Sequence, residues 1–284
     1  DSLDANTEGS YNSALGYGAL GGNTTGVRNS AFGREALVAN TTGDYNVAVG
    51  MGALDANTTA DSNTAVGYDS LGANTTGTFN VAMGTSAGAA VTTGTDNTLI
   101  GSLAGDALTV GNSNVAIGTH ALSADTKGDR NVAIGRAALQ VQNFTSTTDS
   151  YNVAVGYGAG ELVTTGVNNT LIGGLAGDAL TIGNSNVSIG YNSLTTEVAG
   201  DRNVAVGHGS LALQTNASTV DVYNTAVGYN SGYAVTTGVN NTLIGGLAGD
   251  AITTGGQNVA VGKAALSANT TASDNTAVGS NALT

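Results

Sequence analysis

The pattern Asn-x-small-aliphatic-Gly returns along this chain with a fixed 17-residue step, and a period that short leaves few folds open. Its Asn stands at Asn12, Asn29, Asn46, Asn63, Asn80, Asn97, Asn114, Asn131, Asn152, Asn169, Asn186, Asn203, Asn224, Asn241, Asn258 and Asn275. Thirteen of the fifteen steps have this length, while Asn131 to Asn152 and Asn203 to Asn224 are longer by the same four-residue insertion. Self-similarity at one period marks a stacked array in which each repeat buries its face against its neighbours. A helix pair needs about 30 to 40 residues per repeat, so helices do not fit. Val, Ile and Thr beside Gly favour strands. The expected fold is all-β: a parallel β-solenoid, or β-roll, of about sixteen 17-residue coils in one continuous domain over residues 1–284. Coils stacked about 4.8 Å apart would make a rod of roughly 75 to 80 Å.

With the Asn counted as position 0, position 4 is Gly in all sixteen copies, Gly50, Gly67, Gly118, Gly135, Gly156 and Gly207 among them. Position 3 is always bulky and apolar, position 7 is always Ala or Ser, and a second Gly usually falls at position 14, as in Gly26, Gly43, Gly94 and Gly166. Two Gly per coil mark places where the backbone turns through positive φ or passes too close to a neighbour for a Cβ. Each coil therefore reads as two short strands joined by two tight corners, with the stacked Asn amides donating to one another along the axis. Strand parity puts positions 0, 2 and 4 on one face and positions 1 and 3 on the other. If the small face is interior, the aliphatic stripe through Leu15, Phe32, Val49, Val66 and Met83 faces out and demands a partner. If the aliphatic face is interior, the monomer is self-sufficient.

A compensation within the coils fixes which residues share the core. Most coils have Leu at position 8, as in Leu20, Leu37, Leu54, Leu71 and Leu122, and a polar residue at position 11. Six coils instead carry Gly at position 8, and there position 11 becomes Val91, Leu108, Val163, Leu180, Val235 or Ile252. One branched side chain leaves and another arrives, as a fixed interior volume requires. The segment "NTLIGSLAGDAL" from Asn97 returns in close copies from Asn169 and Asn241, which sets a longer, 72-residue period. Four coils thus form a higher unit, giving units of about 12–79, 80–151, 152–223 and 224–284. The four-residue insertions, near 140–150 and 212–222, are expected to bulge from one edge.

The stretches "VAIGTHA" (Val115 to Ala121), "VAIGRAA" (Val132 to Ala138) and "VSIGYNS" (Val187 to Ser193) resemble the head repeats of YadA-like trimeric autotransporter adhesins. They are similar too to the N-T-A-V-G-rich β-solenoid repeats of bacteriophage tail fibres and large surface-fibre proteins. The resemblance spans almost the whole chain through a short, degenerate motif. It implies a left-handed parallel β-roll, trimeric in the adhesins, with an adhesive or spacer role.

Composition removes several functions. A net charge of −13 with seven Lys plus Arg leaves no basic patch for nucleic-acid phosphates. No Cys is available for disulfides or thiolate metal sites, and no apolar run approaches the roughly 18 residues of a membrane-spanning helix. Catalysis has little to work with: His120 and His208 sit at different positions of different coils, beside no repeated carboxylate or nucleophile, and read as solvated turn residues. Asp106, Asp178 and Asp250 recur once per 72-residue period. Four coils is about 19 Å, against about 2.6 Å for an ion's oxygen ligands, so they cannot share an ion. No enzyme, metal or cofactor is expected.

Asn23, Asn40, Asn57, Asn74, Asn143, Asn216 and Asn269 fit the N-x-S/T acceptor pattern for glycosylation, though Asn and Thr also serve turns. Thr ranks suggest an ice-binding face, but adjacent residues such as Thr24 and Thr25 would point to opposite sides of a strand. Tyr clusters just before the Asn (Tyr11, Tyr45, Tyr151, Tyr223) or just after the Gly (Tyr17, Tyr68, Tyr157, Tyr191, Tyr229), where rings either bind glycans or cover strand edges. Neither end shows a polar cap sequence, and joining Thr284 to a neighbour's Asp1 would reproduce the longer Asn-to-Asn step of the insertions. The expected role is structural and non-enzymatic: an extracellular, cell-surface or virion fibre, either a rigid shaft or an adhesive head. Its expected partner is itself, as a homotrimer or head-to-tail filament. The alternatives are a receptor-binding segment recognising glycans or a host surface and, behind it, the ice-binding module.

Overall fold

The computed structural model describes all 284 residues and forms an all-β solenoid of sixteen coils without a helix. Two compact units hold the chain, Asp1–Ala137 with Asn143–Asp149, and Ala138–Gln142 with Ser150–Thr284. The boundary falls at the first insertion, which closes the second 72-residue repeat, and the second insertion lies inside the second unit. In the first unit, eight three-residue strands run from Ser13–Leu15 to Val132–Ile134 and pair in parallel, each residue opposite its counterpart in the next coil, as Ala48 is opposite Ala65. In the second unit, eight more run from Val153–Val155 to Thr276–Val278. There the pairing Val204↔Thr225 absorbs the longer step without disturbing the register.

The small face is interior. The middle strand residue is fully buried in coil after coil, as at Ala31, Ala48, Ala65, Ala154, Ala205 and Ala260, and the Ala or Ser at position 7 joins it. The Leu or Gly exchange also appears as expected. Leu20, Leu37, Leu54 and Leu71 are completely buried, and so are Val91, Leu108, Val163, Leu180, Val235 and Ile252 where position 8 is Gly. Leu99 fills the space above the missing side chain: a Cβ on Gly88 would stand 2.6 Å from Leu99 Cδ1 and 3.0 Å from Leu71 Cδ2. Position 11 alternates accordingly between this apolar column and a buried polar one.

The expected second strand of each coil is absent from most coils. Only the insertions carry extra strands, Thr148–Asp149 on Gly128–Asp129 and Val220–Asp221 on Gly200–Asp201. Elsewhere the chain bends through positive φ at positions 4, 6, 8 and 16, and most of these residues are not Gly. Leu20 (φ 52°), Leu37 (φ 54°), Glu35 (φ 59°), Tyr45 (φ 59°) and Arg28 (φ 58°) all adopt it. The alternation sends successive N–H groups to opposite neighbours: Glu35 N donates to Tyr17 O of the coil before (2.8 Å), and Leu37 N to Ala53 O of the coil after (3.0 Å). Both main-chain donors thus keep a partner while the chain turns. At position 4 the cause is twofold: Gly50 has φ 137°, and a Cβ there would lie 2.2 Å from Gly67 O.

The Asn column is buried, but its main bonds run to the backbone rather than from amide to amide. Asn46 Nδ2 donates to Ala60 O at the far corner of its own coil (2.8 Å), and its Oδ1 accepts Asn63 N of the next coil (3.0 Å). Amide-to-amide bonds are added only in some coils, as from Asn97 Nδ2 to Asn80 Oδ1 (3.0 Å). Replacing Asn46 by Leu orphans the buried N–H of Asn63 and leaves Ala60 O with Asn57 Nδ2 alone (3.1 Å). A loss of about 3 kcal/mol is expected, measured as a lower urea midpoint; parental stability would remove the column as a determinant of the fold. For the core exchange, Gly88→Leu alone should cost about 1–3 kcal/mol by overpacking. The triple variant Gly88→Leu, Val91→Asn, Leu99→Ala should regain most of it, which a thermodynamic cycle on urea unfolding would establish.

Candidate functional site

With the Ala-Gly face turned inward, bulk is exported. The position 3 column stands in solvent: Leu15 is 70% exposed, Met83 43% and Ile244 39%. Beside it runs the half-buried position 1 column of Val and Thr, from Val47, Thr64 and Val81 to Val259. Neither column carries a charged residue. Positions 16 and 5 flank them and also point out, and nine of the ten Tyr lie there. All ten Tyr are exposed, from 41% at Tyr233 to 80% at Tyr11, so no Tyr contributes to the core. Eight coils make this face about 38 Å long in each unit, and at about 3.3 Å per residue it is roughly 20 Å wide.

The flanking rings stack along the coils. His208 lies between Tyr191 and Tyr229, with ring centroids 5.5 and 5.4 Å away, so it is an exposed ring in a stack rather than a free turn residue. Arg28 sits between Tyr11 and Tyr45 at 5.4 and 5.3 Å, and its Nη1 donates to Tyr45 Oη (2.7 Å). One face of each of these Tyr rings is thereby covered by its neighbour. His120 occupies a position 6 bend (φ 58°).

The sequons are mostly interior. Asn23, Asn40, Asn57 and Asn74 are fully buried and form a second amide column, in which Asn40 Nδ2 donates to Asn23 Oδ1 (2.8 Å) and to Gly43 O (3.0 Å). Asn216 is 8% exposed, with its Nδ2 given to Glu197 Oε2 (2.9 Å). These five are corrected from acceptor sites to structural amides, because the nitrogen that a sugar would take is enclosed. The Asn column ends at Asn74, whose Oδ1 faces the apolar coil of Val91 and has no partner. The Thr pairs do not point to opposite sides either. They lie in a bend, with Thr25 exposed and Thr24 half-buried and donating its hydroxyl to Thr41 O (3.0 Å). A row of bends is not the flat sheet an ice-binding face would need.

Sequence reasoning missed the buried acids that anchor the insertions. Glu197 has no exposed surface and accepts from Gly200 N (2.7 Å), Val198 N (3.0 Å), Ala199 N (3.0 Å) and Asn216 N (3.1 Å) at Oε1. Its other oxygen takes Gln214 Nε2 (2.7 Å), and Gln214 Oε1 in turn accepts Asn224 Nδ2 (2.8 Å). Asp125 holds the matching place one four-coil unit earlier, accepting Gly128 N (2.9 Å). The signal was there, since an acid replaces Asn at position 11 in the coil before each insertion. Arg130 with Asp149 and Arg202 with Asp221 pin the outer edges.

No chemistry converges elsewhere. No group of three His, Cys, Asp or Glu side chains could hold a metal ion, and no helix is long and apolar enough to cross a membrane. An open recess of about 200 Å³ is lined by Arg34, Glu35, Met51, Asp55, Tyr68 and Asp69. Burial, then the charges of Asp69 and Glu35, push the Asp55 carboxyl above its ordinary range. Of the three periodic Asp residues, Asp178 Oδ1 accepts the Thr195 hydroxyl (2.5 Å), whereas Asp106 and Asp250 each keep one buried oxygen unpaired. Burial raises both of these carboxyls. No protein-family model, curated protein or solved structure matches the chain, so the site is read from its own geometry.

A raised carboxyl in the fold means that the native state holds its proton longer than the unfolded chain does. Stability is therefore fully present below the unfolded pKa and is lost as pH rises through the folded one. Asp250→Asn should raise the urea midpoint slightly at pH 7, by about 0.5 kcal/mol or less given solvent screening, and leave it unchanged near pH 3. An equal effect at both pH values would assign the change to packing.

Proposed function

We propose that the chain is a structural, non-enzymatic element of an extracellular, cell-surface or virion fibre, and that it works as a rigid shaft or adhesive head by associating with further copies of itself. The observation that carries this reading is the exposed face built from positions 1 and 3 with its Tyr flanks. With both flanks, which also carry Arg28, Arg34, Arg130, Arg136, Arg202 and Lys263, the strip covers about 750 Å² per eight-coil unit. The largest apolar patch on a monomer is typically about 300–600 Å², and a stable interface covers about 800 Å² of each partner. Interface cores are depleted of charge and their rims are polar; here the two central columns carry no charge, and the Tyr and Arg residues line their margins.

A partner for such a face must itself offer apolar rows repeating about every 4.8 Å, and a second copy of the chain satisfies that by construction. Sideways association around the apolar columns closes into a homotrimer or similar assembly of fixed size, the arrangement that the resemblance to adhesin heads also favours. Head-to-tail stacking would instead give filaments that lengthen with concentration. The net charge of −13 keeps assembled rods apart except along the uncharged position 1 and 3 columns, whose flanks hold six of the seven Lys and Arg residues.

Sedimentation across a hundredfold dilution tests the reading. The parent is expected to keep one mass, a small multiple of 27.6 kDa. Val66→Asp with Ile117→Asp places two carboxylates on the face without touching the core, and is expected to give folded monomers with an unchanged β-sheet circular dichroism spectrum. A parent that sediments as a monomer throughout would overturn the proposal.

A further inference from the structure

The two insertions carry N-x-S/T sequons that differ by one residue in phase, and that offset decides their fate. Aligned on Gln142 and Gln214, the first insertion reads Asn143-Phe144-Thr145 and the second Thr215-Asn216-Ala217-Ser218. Neighbouring residues in this extended stretch alternate between outside and inside. Asn143 and Thr215 are exposed, while Phe144 and Asn216 turn in at 6% and 8% exposure. Asn216 is thereby tied to Glu197, and Asn143 is left outside.

We propose that Asn143 is an acceptor for an N-linked glycan. Thr126 Oγ1 shares its one proton between Asn143 Oδ1 (2.9 Å) and Phe144 O (3.1 Å), and Asn143 Nδ2 has no partner in the chain. The buried Phe144 ring anchors the loop beneath it. Thr145 is exposed at the third sequon position; its main-chain oxygen accepts Lys127 Nζ (3.1 Å), and its hydroxyl makes no bond. Both groups that a glycosyltransferase reads in a sequon are thus free and outward. Among the other sequons, Asn168 and Asn240 are exposed, but their third residues, Thr170 and Thr242, are half-buried strand residues paired with coils on both sides; Asn269 closes a ring on Ala272, donating to its oxygen (3.1 Å) and accepting from its N–H (3.0 Å), and the rest are buried.

The step is a substitution without redox change. Asn143 Nδ2 forms a C–N bond to the anomeric carbon of a sugar carried on a polyprenyl diphosphate. The glycosyl C–O bond breaks, the diphosphate leaves with the electron pair, and the amide proton passes to a base of the transferase. The inference depends on the fold of the insertion and is independent of the fibre reading.

Its test is incubation of the folded chain with an N-x-S/T-specific oligosaccharyltransferase and a polyprenyl-diphosphate oligosaccharide, followed by intact mass and peptide mapping. One glycan per chain is expected, at Asn143, lost in both Asn143→Gln and Thr145→Ala, which alter only exposed side chains. The urea-unfolded and diluted chain serves as the control and should accept sugar at the buried sequons as well. A folded chain that takes no glycan while the control does, or that takes it at another Asn, overturns the proposal. So does a control modified everywhere except Asn143.

Discussion

The rest of the structure depends on a buried amide that bonds to two coils at once. Asn29 takes the main-chain N–H of Asn46 from the next coil (2.9 Å) and gives its own Nδ2 to Gly43 O across its coil (2.7 Å). One bond holds neighbouring coils in register, and the other closes each coil on itself. Because the amide must lie inside to do both, the parity of the strand is fixed: positions 2 and 4 follow it inward and positions 1 and 3 go out. A backbone passing as close as Gly43 to Asn40 tolerates no Cβ, since one there would lie 2.5 Å from Asn40 Oδ1. The Gly at position 14 also meets the carbonyl of the next coil, since a Cβ on Gly43 would lie 2.4 Å from Ala60 O and one on Gly94 2.4 Å from Gly111 O, and it involves no unusual φ.

The interior this leaves is narrow. Most coils enclose two small side chains and one branched apolar one, at position 8 or position 11, and the choice at one position binds the other; the coils of Leu99, Leu171 and Leu243 add a second Leu at the strand centre, beside the Gly at position 8. Where Leu holds position 8, position 11 is an amide or acid that satisfies the corner. Where Gly holds it, a branched side chain fills in and the amide column stops, at the cost of the unpaired Asn74 Oδ1. An unpaired buried oxygen costs about 1–3 kcal/mol. The two insertions follow the same logic with a charge. Glu197 collects six hydrogen bonds, four from the main chain, so the extra residues are held by an anion saturated with donors rather than by an apolar patch.

Legibility in the sequence followed how directly a residue type encodes its constraint. The period, the coil count, the Leu or Gly exchange and Gly at position 4 were readable, because volume and absent Cβ atoms leave few alternatives. The bends at positions 6, 8 and 16 were not. Leu20, Arg28 and Glu35 give no sign of a left-handed backbone, and only the hydrogen bonds from coils on both sides hold them there. For the same reason the second strand was expected where the structure has alternating bends. Asn23, Asn40 and Asn57 resembled surface acceptors because N-x-T names a chemistry without naming a face; burial decides that, and burial depends on Leu at position 8. The exposed apolar face was one of two options left by parity, since both faces carry apolar residues.

A solenoid with so thin a core cannot hide its large side chains, and that constrains function more than any motif does. In a globular domain Ile117, Ile134 and Val155 would be core; here they are half-exposed, because Ala and Gly occupy the only interior there is. Lengthening the array adds outer apolar surface in proportion to coil number and never enlarges the interior. Every added coil therefore strengthens the demand for a partner as well as the stack. A chain of this kind gains stacking contacts and exposed apolar surface together, in proportion to its length.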